Sequence, residues 1–129
     1  MDVKGMREIL FRGKRIDNGE WVEGYFVNLW LMHYQKHQPI ITDNNAVSYD
    51  VDPSTVGQYT GLTDKNGKRI FEGDIMAFTA YGFDYVGTVE FADGSFSVMC
   101  EHTSPFLDQA VSKHGAYIIG NMHDNPELL

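Results

Sequence analysis

The chain has a single cysteine, Cys100, in 129 residues. That excludes an intramolecular disulfide framework and a multi-cysteine metal site, and it favours a reducing setting. Positive charge is also scarce: ten Lys and Arg stand against eighteen Asp and Glu, for a net charge of −8. Such a chain gains little from counterion release on a phosphate backbone, and is repelled by it unless cations concentrate locally. Long apolar runs are missing. The longest nearly uncharged stretch is residues 24–34, against about 20 apolar residues for a membrane-spanning helix, so no membrane association is expected. The start, MDVKGMRE, lacks an apolar h-region and does not read as a signal peptide; Met6 is an alternative natural start. HExxH, GxSxG, P-loop and GxGxxG motifs are all absent.

What is present is β structure and turn chemistry. Hydrophobic residues make up 43% and charged residues 22%, enough for a core without staples. Residues 7–29 read as a β-hairpin around Asn18-Gly19, a pair suited to positive φ at both turn positions. Direct pairing sets Ile16 opposite Trp21, Phe11 opposite Phe26, and Gly13 opposite Gly24. Both faces then carry large apolar groups, so the hairpin is either covered on both sides or shifted by a bulge. Residues 29–38 have no clear period and fit a short helix or an irregular strand. Short strands follow over 39–42 and 47–51. Asp52 and Pro53 have the chemistry of a capped helical turn, ended by Gly57.

The densest turn chemistry lies in residues 57–78, GQYTGLTDKNGKRIFEGDIMAF. Gly61, Asn66-Gly67 and Gly73 supply left-handed backbone positions there. "Gly-Asp-Ile" entering a strand recurs in small SH3-like barrels. The cleanest hairpin flanks Asp93-Gly94: Phe91 opposite Phe96, Val89 opposite Val98 and Gly87 opposite Cys100 share one face, and Thr88 with Met99 lies on the other. Residues 104–114 read as the helix. Ser104 caps it, Pro105 opens it, Phe106, Leu107, Ala110 and Val111 form its buried stripe, and Gly115 stops it. Residues 116–120 form a last strand, and the terminal leucines are expected to dock.

The fold class expected is mainly β with a minor helix: an N-terminal β-hairpin lobe plus an SH3-like small β-barrel in the C-terminal half. The whole chain, 1–129, forms one unit with sub-lobes 7–50 and 56–129.

No catalytic residue, metal site or cofactor is expected. His33 and His37 have the i, i+4 spacing of two ligands on a helix face, but neither a third ligand nor a helix is assured. Asp64-Lys65-Asn66-Gly67 resembles part of a calcium loop. Aligning Gly67 with the invariant glycine puts Leu62 and Gly73 at positions that need oxygen ligands, so the register fails. Glu72 and Asp74 supply half of a carboxylate pair without a second acidic motif. Cys100 falls on an inward strand face as inert packing. Arg12, Lys14, Arg15, Lys68 and Arg69, with the earlier Arg7 and Lys65, flank turns. They read first as solvated edge charges and second as a nucleic-acid surface. The aromatics Tyr59, Phe71, Phe78, Tyr81, Phe83 and Tyr85 read first as core and second as a binding surface.

Three blocks, REILFRGKRIDNGEWVEGY, VDPSTVGQYTGLTDKNGKRIFEGDI and IIGNMHDNPELL, resemble the YopX family of phage and prophage proteins, in order and over nearly the whole chain. The resemblance implies action in the cytoplasm of a bacterial host cell and carries no catalytic or binding residues across. The function expected is a non-enzymatic accessory protein that binds a host or phage protein, with self-association left open. The alternatives are a nucleic-acid-binding barrel and, more weakly, a metal-dependent enzyme using Glu72, Asp74 and histidines.

Overall fold

A computed structural model describes residues 8–129. The expectations for Met6 and Arg7 lie outside the described residues. The protein is mostly β, with antiparallel strands in two sheets and one short helix. It divides into two compact units, one ending at Tyr59 and one beginning at Thr60.

In the first unit, β1 (Phe11–Lys14), β2 (Trp21–Leu31), β3 (Lys36–Thr42) and β4 (Ser48–Asp50) form an antiparallel array in the order β4-β3-β2-β1. The start of β5 (Gly57–Thr63) lies on the far side of β1, Gln58 beside Phe11 and Gly57 beside Arg12. Val22, Ile41 and Val51 are the buried centre, with Phe11, Phe26, Tyr49 and Val56 packed around them. A Cβ on Gly13 would lie 3.1 Å from Ile41 and 3.3 Å from Val51 and Val56, a tight fit in this core. Asp52 caps the turn Pro53–Thr55 by accepting from the Ser54 N–H at 3.0 Å, and Val56 rather than Gly57 closes it.

The first hairpin departs from direct pairing by two residues: Phe11 pairs with Gly24, Gly13 with Val22 and Lys14 with Trp21. The physical reason is its loop. The Arg15 N–H donates to the Glu20 carbonyl, the Gly19 N–H to the Arg15 carbonyl, and the Asn18 side chain accepts from the Glu20 N–H. Asn18-Gly19 thus sits inside a wider loop instead of forming a two-residue turn. The ambiguous stretch 29–38 is neither a helix nor an irregular strand. β2 runs on through it and turns back into β3, with Leu29 opposite Gln38 and Trp30 opposite His37. Gln35, at φ 49°, completes the reversal.

The second unit holds the end of β5, then β6 (Arg69–Phe71), β7 (Asp74–Ala80), β8 (Phe83–Ala92), β9 (Ser95–Met99), α1 (Leu107–His114) and β10 (Tyr117–Asn121). Its sheet runs β10-β7-β8-β9. The core joins Ile70, Met76, Phe78, Val89 and Val98 to Leu107 and Ala110 of the helix. The β8–β9 ladder has the register that its Asp93-Gly94 turn dictates: Thr88 opposite Met99, Val89 opposite Val98, Phe91 opposite Phe96. The ladder ends at Met99, yet the Cys100 sulfur still lies 2.7 Å from where a Cβ on Gly87 would be.

The helix begins three residues late. The Pro105 carbonyl accepts from the Val98 N–H and Phe106 forms a bridge with Ser97, which holds this segment extended against β9. Ser104 therefore caps nothing, and Phe106 is exposed. Gly115, at φ 64°, closes the helix by donating to the Val111 carbonyl. The terminal leucines are exposed rather than docked, Leu129 at 64%. No helix among the described residues is long and apolar enough to cross a membrane.

Candidate functional site

Two carboxylates that looked like ligand candidates are braces. Asp64 is 5% exposed and holds three backbone N–H groups from two segments. One oxygen accepts from the N–H groups of Asn66 at 2.9 Å and Lys68 at 3.0 Å. The other accepts from Ile118 of β10 at 3.0 Å. Burial pushes this carboxyl up, but the backbone donors of Ile118, Lys68 and Asn66, with the Lys68 charge, outweigh it and hold it below the usual carboxylate range. Asp74 is 2% exposed and accepts from the Phe71 N–H at 2.8 Å. Between them Gly73, at φ 89°, donates to the Val89 carbonyl and accepts from the Met122 N–H. A side chain at Gly73 would strain the turn that joins these strands.

Of the other turn residues, Gly19, Gly61, Gly67 and Gly94 have positive φ, as does Asp93 at 53°, whereas Asn18 and Asn66 do not take the left-handed backbone expected of them. His33 lies in the β2–β3 turn and His37 in β3, so the two imidazoles share no helix face. His37 instead meets Trp30 edge-on at 5.0 Å. Among the described residues no group of three or more His, Cys, Asp or Glu is placed to hold a metal ion.

The five candidate nucleic-acid cations are divided between the units. Arg12 and Lys14 alternate along β1 and both overlie Trp21, at 4.8 and 5.5 Å from its ring centre. Arg15 overlies Tyr49 at 4.4 Å and pairs with Asp17 at 2.7 Å. Lys68 and Arg69 are exposed in the second unit. The aromatics also divide. Phe71 and Phe78 are buried core, whereas Tyr81 and Phe83 are 76% and 66% exposed. A shallow recess there is lined by Phe78, Tyr81, Tyr85, Lys113 and His114. The His114 ring stacks on Phe78 at 5.8 Å, and Lys113 donates to the Tyr81 hydroxyl at 3.5 Å. No carboxylate lines this recess.

The feature that sequence reasoning missed is an arm. Beyond Gly24, β2 and β3 continue as a ribbon that β4 accompanies only as far as Ile40; Phe26 and Ile41 pack into the core, and the outer part is largely bare. Tyr25, Val27, Leu29, Trp30, Met32 and Tyr34 are all exposed, Tyr25 at 67% and Met32 at 79%. Gly24 marks its root: a Cβ there would run into the Thr42 carbonyl. Lys36 is the only formally charged residue between positions 25 and 38, in a chain of net charge −8. The uncharged run 24–34 was the available signal, but apolar residues on both faces leave no period to read.

A family model described as YopX protein matches residues 10–129. Among solved structures, the crystal structure of protein EF1440 from Enterococcus faecalis is similar, with a TM-score of 0.62 and 26% sequence identity, covering 96% of this chain and 99% of that one. No curated protein matches.

Proposed function

The chain belongs to the YopX protein family, and from that premise we propose that it is a non-enzymatic phage or prophage accessory protein that works by binding protein in the bacterial cytoplasm. The observation that carries this reading is the β2–β3 arm. Six large apolar side chains of this ribbon are exposed. A two-stranded ribbon is marginal in water by itself, and exposed apolar clusters of this kind mark interaction surfaces. The second unit is read as the SH3-like element, a scaffold whose carboxylates brace turns.

A pull-down from host extract tests this reading. The native protein retains a specific protein after nuclease treatment, and the double variant Trp30→Ser, Tyr34→Ser loses it. Equal retention by both, or none by either from a chain that also does not self-associate, would overturn the reading.

The nucleic-acid reading rests on Arg12 and Lys14 over Trp21, the cation-and-ring pairing that stacks bases. It predicts a salt-sensitive shift of single-stranded DNA or RNA, lost in Arg12→Ala, Lys14→Ala. No shift at low salt would end it.

A further inference from the structure

We infer that the arm pairs with a second copy of the same chain, β2 against β2 across a two-fold axis. The inference rests on the protein-binding reading and names its partner. β1 pairs with β2 only from Trp21 to Gly24. The Leu10 carbonyl then accepts from the Tyr59 N–H, which takes the chain toward β5. Among the described residues, the outer edge of β2 over positions 25–31 therefore has no strand beside it. The run is Tyr-Phe-Val-Asn-Leu-Trp-Leu, seven residues with no charge, proline or glycine. Natural edges are usually blunted by those very residues.

The run is also self-complementary. An antiparallel pairing centred on Asn28 sets Asn28 against its own copy. It sets Val27 against Leu29, Phe26 against Trp30, and Tyr25 against Leu31. Every apolar side chain meets another, and the one polar side chain meets its twin. An isologous two-fold contact requires this symmetry, whereas an unrelated partner does not.

Edge pairing adds main-chain hydrogen bonds along β2 and covers the flanks of Tyr25, Val27, Leu29 and Trp30, which are exposed. Charge agrees. Two molecules of net charge −8 repel over most of their surfaces. The arm carries no acidic side chain, so this is where they can meet.

Light scattering at about 100 µM, far above the dissociation constant of an ordinary specific interface, gives the first test. The full chain is expected at twice its 14.6 kDa mass, and Val27→Lys, Leu29→Lys at the single mass with an unchanged melting curve. Both positions are exposed, so the substitution spares the core. The second test reads the register. In a Cys100→Ala background, Asn28→Cys forms a disulfide-linked dimer on mild oxidation, and Phe91→Cys, exposed in the other unit, does not. A monomeric native chain would overturn the inference, as would a dimer that survives the lysine pair or the absence of an Asn28→Cys cross-link. A monomer whose arm still retains another protein from extract would overturn this inference alone and leave the protein-binding reading standing.

Discussion

Replacing Asp64 by asparagine removes one brace while keeping the shape of the turn. The amide oxygen can still accept from Asn66 and Lys68, but the NH2 group then faces the Ile118 N–H, donor against donor. One charge-assisted bond is lost and a buried N–H is orphaned, which together cost about 2 kcal/mol. A chain of this size loses roughly 3–5 °C of melting temperature per kcal/mol, so a fall of roughly 6–10 °C is expected. Asp64→Ala gives up all three bonds and costs more, about 3–5 kcal/mol. The pH dependence provides the decisive reading. The carboxyl titrates lower in the native chain than its ordinary 3.8, so its contribution is complete above the unfolded value and is lost as pH falls through the native one. The gap between native protein and Asp64→Asn should stay constant from about pH 8 to pH 5 and narrow below about pH 4. Denaturant titrations at three pH values measure it. Equal stability at pH 7, or a gap that does not narrow in acid, would refute the assignment of Asp64 as a charged brace.

Four further outcomes can be checked alongside. Gly67→Ala forces a side chain onto φ 80° and should cost about 1–2 kcal/mol by denaturant titration. Leu107→Ala, at a position 1% exposed, should cost about 2–5 kcal/mol. Phe83→Ser, at a position 66% exposed, should stay within about 0.5 kcal/mol. Burial raises the Cys100 thiol, so its alkylation at pH 8 should run several-fold slower than that of the unfolded chain and reach the same rate in denaturant.

Register was legible where a two-residue turn decided it. Asp93-Gly94 leaves β8 and β9 no alternative, and its pairing follows from counting outward. Asn18-Gly19 looks similar on paper, but Asn18 spends its side chain on the Glu20 N–H, and the wider loop moves every partner by two positions. Pro105 misleads in a related way. Its carbonyl is captured by β9, a long-range bond that local helix chemistry does not contain. The arm was invisible for a different reason. Alternation encodes one buried face and one wet face, and residues 27–30 have neither: Val27, Leu29 and Trp30 are exposed alike. The braces were half legible: the turn around Asp64 shows in Asn66-Gly67, but its bond to Ile118 depends on the closed fold.

That last bond sets an order on the making of the protein. The two residues lie 54 positions apart. At about 5–20 residues per second, a ribosome takes roughly 3–10 s to travel from one to the other. Through that interval the turn already has its carboxylate but lacks its third donor. The last strand to emerge is the one that completes the grip. A chain released early, before β10, would keep the hairpin and lose the latch, and would present an incompletely satisfied carboxylate beside an unpaired β7 edge. Emergence of β10 and locking of the second unit are thus the same event.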